Sequence, residues 1–255
     1  MLRLDGFLDH ATTIKILELA CVTVDNEVMQ DLNKDACRIT LNGKRHYTTP
    51  LETGPAPSVT TILSETASEK NKAKLEMWSK NNPGVKERAA ERGTSIHYGM
   101  ECYFKKEPIN IPEEYSEFWD GMPDVLNQFD LERMLWAESP VVEDFMFTEA
   151  VDGVARVWGK DDEGRSWAGA PDIIGYTNKG DLTLGDLKTS VKPYYRHWPT
   201  AKKGSQEWRE GIGGHMKYKK TVKQLAAYDL AIQQTLGIKV DQAAILVSTP
   251  ERTQI

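Results

Sequence analysis

The amino-acid sequence predicts an α/β protein, and three features of its pattern lead to that class. Residues 69–105 are rich in the helix-favouring residues Lys, Glu, Ala and Met, and a turn signal at Asn81–Gly84 divides them into two helices. Residues 139–190 alternate short β-prone runs with Asp-Gly, Glu-Gly and Lys-Gly turn signals, a pattern typical of a strand meander. A further helix is expected over residues 217–234, followed by a last strand in the run DQAAILVST.

The elements before the first long helix follow from shorter signals. Residues 1–36 are predicted to form an N-terminal helical extension, because their apolar residues recur at helical spacing. From residue 37 the pattern becomes β-like, and the pair Asn42-Gly43 predicts a hairpin. Ser58 or Thr60 is expected to cap the helix that comes next.

Two longer segments complete the prediction. Residues 113–133 are expected to be helical, with Phe118, Trp119, Val125, Leu126 and Phe129 as packing side chains. Residues 191–216 are expected to form a long loop or lid, because two prolines and four glycines interrupt any regular pattern. Long loops within folded domains are often functional.

Composition limits the functional classes. A net charge of -6 argues against a protein that coats nucleic acid through bulk electrostatics, so any such role must be local. No apolar run approaches the ~20 residues that span a bilayer, and the start lacks a signal-peptide pattern. We therefore expect a cytoplasmic protein without a membrane partner. The sequence has three cysteines that are too far apart to predict a disulfide framework: Cys21, Cys37 and Cys102. It has no phosphate-binding loop motif, so we expect no nucleotide cofactor.

The sharpest chemical signal is a pair of acids on neighbouring predicted strands. Asp172 stands in GAPDII and Asp186 in LTLGDLKTS, and an apolar strand is an expensive place for a carboxylate unless a cation or hydrogen bonds compensate it. Two converging carboxylates offer the hard oxygen ligands that Mg²⁺ prefers. Lys188 follows Asp186 by two residues and so points to the same strand face, where its charge is expected to orient an attacking water and stabilise the transition state.

Each signal alone has an ordinary structural explanation. A single Asp-x-Lys on a strand is more often a surface ion pair, and a Pro-Asp at a bend is usually turn chemistry. Longer motifs in a fixed order favour the functional interpretation: RGTSIHYGMECY and AESPV stand upstream, and QLAAY stands downstream. The motif residues in these runs are Arg92, Thr94, His97, Glu138, Gln224 and Tyr228.

Together with G-x-P-D and hydrophobic-x-D-x-K-T-S, these motifs resemble RecB-type nucleases of the PD-(D/E)XK superfamily, over roughly residues 37–248. The resemblance implies a restriction-endonuclease-like α/β core over residues 37–255, with a central mixed sheet flanked by the helices that carry His97 and Gln224, plus the N-terminal helical addition.

The resemblance also implies roles for individual residues. Mg²⁺ or Mn²⁺ would be held by His97, Asp172, Asp186 and the backbone carbonyl of Leu187, and Lys188 would complete the catalytic set. The residues it implies for substrate binding are Arg92, Thr94, Glu138, Gln224 and Tyr228.

One branch of the superfamily is indicated by the run KRHYTTPLETGPAPSVTTIL, which resembles the entry of mitochondrial genome maintenance exonucleases and their phage and bacterial relatives. This implies an exonuclease that hydrolyses single-stranded DNA from free ends. The alternative is a non-catalytic protein that binds single-stranded DNA on a nuclease fold, and a third possibility is a hydrolase of small phosphoesters.

Basic and aromatic side chains interleave in the segment 191–216. Single-stranded DNA is commonly held by stacking on aromatic rings along a positive groove. A surface loop tucked in by its aromatic residues explains the pattern equally well. The candidate DNA contacts are Tyr194, Tyr195, Arg196, Trp198, Lys202 and Lys203.

Overall fold

The computed structural model describes residues 38–49, 55–137, 139–140 and 157–255. The helical extension predicted for residues 1–36 therefore lies outside the described residues, as does the predicted boundary at residue 37. The strands are β1 (Arg38–Leu41), β2 (Lys44–Tyr47), β3 (Ala56–Pro57), β4 (Phe129–Ala137), β5 (Ser139–Pro140), β6 (Val157–Lys160), β7 (Ser166–Gly169), β8 (Ile173–Thr177), β9 (Leu182–Thr189), β10 (Gln242–Ser248) and β11 (Thr253–Gln254). The helices are α1 (Val59–Glu65), α2 (Glu69–Asn81), α3 (Val85–Lys105), α4 (Ser116–Trp119), α5 (Met122–Leu126) and α6 (Gln206–Leu236), with a 3₁₀ turn at Glu113–Tyr115.

A six-stranded mixed sheet forms the middle of the molecule, in the order β11-β10-β9-β8-β4-β5. Strands β9 and β10 are parallel, whereas the other pairings in this sheet are antiparallel. Parallel neighbours need a crossover, which α6 provides on its way from β9 to β10. The predicted α/β class, with a mixed sheet and flanking helices, is confirmed.

Helices cover both faces of this sheet. Alternate residues of β9 supply the two cores, since Leu184 packs towards α6 while Leu187 packs with α3, α4 and α5 on the other face. The helix α3 contributes Ile96 and Met100 to the second core, and both are fully buried. Within the described ranges, no helix is long and apolar enough to cross a membrane.

The two-stranded sheet β6-β7 packs beside α6, and the sheet β1-β2-β3 packs against β7. The predicted hairpin is confirmed: β1 and β2 are antiparallel, and Asn42 and Gly43 between them both have positive φ, as a tight turn of this kind requires. Strand β6 is fastened to α6 by Thr235, whose hydroxyl donates to the carbonyl of Trp158 at 2.8 Å and accepts from its N–H at 3.2 Å.

The predicted starts and stops of the first helices are confirmed. Ser58 caps α1 by accepting a hydrogen bond from the N–H of Thr61 at 3.0 Å. The helix α2 ends at Asn81 and α3 begins at Val85, so the turn falls where the sequence places it. Gly84 adopts a φ of +75° there, which a residue with a side chain rarely adopts.

The helix predicted over residues 113–133 is wrong in its second half. The helical part ends with α5 at Leu126, and residues from Phe129 belong to β4. Pairing with β8 overrides the local preference of this segment. The expected packing side chains Phe118, Val125, Leu126 and Phe129 are nevertheless buried, and Trp119 is partly buried.

The loop predicted over residues 191–216 is also too long. It ends at Ser205, whose hydroxyl accepts from the N–H of Trp208 at 3.1 Å and caps α6. A side chain at Gly214 would place its Cβ 2.6 Å from the carbonyl oxygen of Pro193, and one at Gly211 would lie 2.7 Å from Pro199. These glycines therefore let the loop lie flat on the helix and do not form turns.

Replacing Gly214 by Ala should destabilise the protein by about 1–3 kcal/mol, because the added methyl group collides with the backbone of Pro193 and the ring of Tyr195. Gly213 is the matched control: it is exposed on the same helix, and nothing lies within 4 Å of the position of its Cβ. Gly213→Ala should raise the free energy of unfolding by about 1 kcal/mol through helix propensity. Urea denaturation followed by circular dichroism measures both, and equal changes of one sign would contradict the packing argument.

Candidate active site at the ends of strands β8 and β9

The register of β8 and β9 brings the two predicted acids together. Ile173, the first residue of β8, pairs with Gly185 of β9, so Asp172 and Asp186 are the next two residues to lie opposite each other, just before β8 begins. The side chain of Asp172 extends the hydrogen bonding between the two strands, because its Oδ2 accepts a hydrogen bond from the N–H of Leu187 at 2.7 Å. The N–H and C=O of a paired residue face the same neighbouring strand, so the Leu187 carbonyl also turns to this edge.

Asp186 is fully buried and is held from two sides. The side-chain amide of Gln224 donates to its Oδ1 at 2.7 Å. The ammonium of Lys188 lies 2.5 Å from its Oδ2 as an ion pair, which confirms that the two side chains share a strand face.

The helix α6 supports Asp186 from behind. Gln224 and Tyr228 are both buried, and the Gln224 amide also donates to the Tyr228 hydroxyl at 3.2 Å. The Tyr228 ring lies directly on Gly169, where an added Cβ would come within 3 Å of the ring carbons. The glycine of the G-x-P-D motif thus makes room for the tyrosine of the Q-x-x-x-Y motif.

The helix α3 brings His97 to the open side of the site. Its Nδ1 lies 4.0 Å from Oδ1 of Asp172, and about a quarter of its side chain is exposed. Glu101, one turn further on, forms an ion pair with Lys105 at 2.8 Å. The helix comes close to β9 at Gly93, whose added Cβ would lie 3.8 Å from the Thr189 hydroxyl.

Burial dominates the electrostatics of this centre. It raises the pKa of Asp186 to about 6; the charge of Lys188 opposes the rise, and that of Asp172 adds to it. Burial alone lowers the pKa of Lys188, but the two carboxylates outweigh it and leave that pKa above its usual value. Burial, followed by the charge of Asp186, also raises the pKa of Tyr228 well above its usual value. Lys188 and Tyr228 therefore keep their protons at neutral pH.

The donor set fits a hard divalent cation in its chemistry. Asp172 and Asp186 supply carboxylate oxygens, and His97 and the Leu187 carbonyl lie on the same edge. Within residues 38–49, 55–137, 139–140 and 157–255, however, no three His, Cys, Asp or Glu side chains stand in a metal-holding arrangement. Binding would require small side-chain movements, above all of His97.

The residues predicted to bind substrate are placed differently from one another. Gln224 and Tyr228 contact Asp186 or each other and are closed to solvent. Thr94 is exposed and donates back to the carbonyl of Ala90 at 3.2 Å. Arg92 lies over the ring of Phe118, with 4.4 Å between its Cζ and the ring centroid. Glu138 lies outside the described residues.

The loop places its aromatic residues along the start of α6. Trp198 is 56% exposed and Tyr195 is 38% exposed. Two residues missed by the sequence analysis extend this surface, since the His215 ring lies 5.4 Å from that of Trp198 and is stacked 6.5 Å from that of Tyr218. His215 and Tyr218 are three residues apart, a spacing that places two side chains on the same face of a helix. The prediction of a loop up to residue 216 concealed this signal. Arg196, Lys202 and Lys203 are exposed beside them.

No protein-family model, curated protein or solved structure matches this chain. What is established is an α/β fold that buries an Asp–Lys pair at the end of two antiparallel strands. Any functional assignment therefore depends on the chemistry of these residues.

A raised carboxyl pKa predicts how stability depends on pH. Because the folded-state pKa of Asp186 lies above the ordinary 3.8, its contribution to stability is complete below that value and is lost as the pH rises through about 6. In EDTA, the stability of the wild type relative to Asp186→Asn should therefore fall between about pH 4 and pH 7, by on the order of 3 kcal/mol.

Denaturant titrations of both proteins across this range measure the difference. Asp162→Asn, at an exposed position, is the control and should parallel the wild type. Parallel profiles for the wild type and Asp186→Asn would show that Asp186 carries no such penalty.

Proposed function

We propose that this chain is a metal-dependent deoxyribonuclease of the PD-(D/E)XK type, which hydrolyses phosphodiester bonds from free ends of single-stranded DNA. The observation that supports this most is the buried Asp186 with Lys188 on the same face of β9 and Asp172 beside them. A structural ion pair at a surface would need neither the full burial of the acid nor a second carboxylate at its edge.

The proposed cation is Mg²⁺ or Mn²⁺, and the residues that would hold it are Asp172, Asp186, His97 and the Leu187 carbonyl. When bound, a divalent cation supplies Lewis-acid stabilisation of charge on the phosphodiester. The negative charge of Asp172 raises the pKa of Asp186, so the two carboxylates repel each other when both are ionised. A cation at this edge would relieve that repulsion.

Lys188 is the proposed catalytic cation of the protein itself. Its side chain is 28% exposed and is paired with Asp186, so Lys188 is a fixed positive charge at the border of the site. A charge fixed in this way can orient the attacking water and offset the negative charge that develops on the phosphate. Gln224 and Tyr228 are positioning residues, since they act on the reaction only by holding the side chain of Asp186 in place.

The preference for single strands comes from the aromatic surface formed by Tyr195, Trp198, His215 and Tyr218. Unpaired bases stack on exposed rings at about 1–3 kcal/mol per base, whereas the bases of a duplex are already stacked on each other. Arg196, Lys202 and Lys203 are proposed to contact the backbone beside this surface. Local positive charge is needed, because the whole chain carries a net charge of -6.

Cleavage of end-labelled DNA tests the proposal directly. Linear single strands, linear duplexes and circular single strands are incubated with Mg²⁺, Mn²⁺ or EDTA, and wild type is compared with Asp186→Ala. We expect metal-dependent degradation of linear single strands, intact circles and no activity in the variant. If no substrate is cut with either metal but single strands are bound, the non-catalytic DNA-binding alternative replaces the nuclease proposal.

The role of Lys188 is tested by separating binding from cleavage. Lys188→Ala should lower the single-turnover cleavage rate by about 10²–10³-fold, while affinity for single-stranded DNA in EDTA stays within a few-fold of wild type. Lys179→Ala is the control, since Lys179 is exposed in the turn at the far end of the same hairpin. Circular dichroism checks the fold of each variant. A parallel loss of binding and cleavage would show that Lys188 holds the substrate and does not act in the reaction.

A further inference from the structure

A second cluster of polar groups lies just beyond the end of β9 and outside the Asp–Lys centre. Lys217 on α6 donates to the hydroxyl of Ser190 at 2.9 Å, and its ammonium lies 5.7 Å from the centre of the Tyr194 ring. Arg92 on α3 lies near the same place, because its neighbour Gly93 packs against Thr189, the residue before Ser190. We call the region around Arg92, Lys217 and Ser190 the cationic corner. Two cations from different helices thus lie near the end of one strand, close enough for the charge of Arg92 to act on Lys217.

No carboxylate of the described residues neutralises these cations. Among the ion pairs of the described residues, none involves Arg92 or Lys217. The Nε of Arg92 is buried and has no hydrogen-bond partner within the described ranges. The two charges also oppose each other, since burial lowers the pKa of Lys217 and the charge of Arg92 lowers it further. A bound anion would relieve this repulsion.

The donors at this corner suit a phosphate group. Arg92 offers guanidinium N–H groups, Lys217 an ammonium, and Ser190 a hydroxyl whose proton is not used in accepting from Lys217. A phosphate oxygen accepts from all three donor types, and arginine and lysine are the usual phosphate ligands in proteins. The part of the chain that the structure describes pairs no carboxylate with either cation, which distinguishes this corner from the acidic centre beside it.

The cationic corner lies close enough to the Asp186–Lys188 centre to hold a different part of the same substrate. Ser190 follows Lys188 by two residues, which corresponds to roughly 6–7 Å of extended chain. Tyr194 lies between the two places: its ring faces Lys217, and the charges of Lys188 and Asp186 act on its hydroxyl. One strand of DNA can therefore touch both.

We infer that Arg92, Lys217 and Ser190 form a phosphate-binding subsite, which holds a DNA phosphate next to the one at Asp186 and Lys188. The identification of the ligand as DNA rests on the proposed function, whereas the binding of phosphate does not. The subsite fixes where the chain of the substrate passes, and the Asp–Lys centre acts on the neighbouring bond.

Orthophosphate is the first probe, because it needs no nuclease activity. In EDTA, phosphate at constant ionic strength should raise the melting temperature of the wild type relative to chloride. Lys217→Met should weaken the apparent phosphate affinity about tenfold or more, and Arg92→Gln should do the same. Lys219→Met is the matched control, as Lys219 is exposed on another side of α6 and should leave phosphate binding unchanged.

Fluorescent single-stranded oligonucleotides then test the DNA arm, again in EDTA. Lys217→Met should reduce the slope of log affinity against log salt by about 0.7, the value for one phosphate contact with a single strand. Oligonucleotides with 5′-phosphate, 3′-phosphate or hydroxyl ends distinguish the source of the phosphate. A loss confined to one phosphorylated end identifies a terminal phosphate, and an equal loss for all ends identifies an internal one.

The two proposals fail in different ways. If Lys217→Met and Lys219→Met behave alike with orthophosphate and with DNA, the subsite is wrong, even if the wild type cuts DNA. If Lys217→Met and Arg92→Gln lose orthophosphate binding while the wild type neither binds nor cuts DNA, the subsite stands and the nuclease proposal is wrong. Circular dichroism confirms folding, and Lys217→Met remains decisive if Arg92→Gln does not fold.

Discussion

The structure depends on keeping one carboxylate, that of Asp186, inside the sheet. A buried ion costs several kcal/mol even after the protein relaxes, so its partners must be fixed in place. Lys188 is supplied by the same strand and Gln224 by α6, and each contacts a different carboxylate oxygen. Since Gln224 is uncharged, it orients the acid without cancelling its charge. The positions of β9 and α6 relative to each other are therefore determined by a polar contact as well as by the core.

The helix α6 carries this constraint to the rest of the molecule. Its 31 residues reach from the loop that packs on Gly211 and Gly214, past Gln224, to Thr235 against β6. Because a helix of this length behaves as one rigid element when it is packed along its length, the aromatic surface at its start is held at a fixed position relative to Asp186. The loop is thus part of the site's framework and is not an independent lid.

The features that the sequence predicted correctly are those set by neighbours in the chain. The hairpin at Asn42-Gly43, the Ser58 cap and the shared face of Asp186 and Lys188 need only local geometry. The errors came from contacts between distant segments. Glycine disfavours helices, yet Gly214 lies within α6, where the segment at Pro193 packs directly on it. Likewise, Phe129 is drawn into β4 by its pairing with β8, which no local pattern records.

Arg92 shows most clearly why part of the site could not be derived from spacing. Its motif predicts a substrate contact, but only the fold reveals that Lys217, 125 positions later, shares its corner of the molecule. Neither cation has a carboxylate partner among the described residues, and the charge of Arg92 lowers the pKa of Lys217, so the two charges repel each other. The acidic centre and this cationic corner lie side by side at the end of β9. Under the proposed function they would have different roles: the corner would bind a phosphate of the DNA, and the centre would stabilise the charge that develops during the reaction. Affinity and turnover should then be separable by single substitutions, which is the property expected of a site that must release its substrate after each cut.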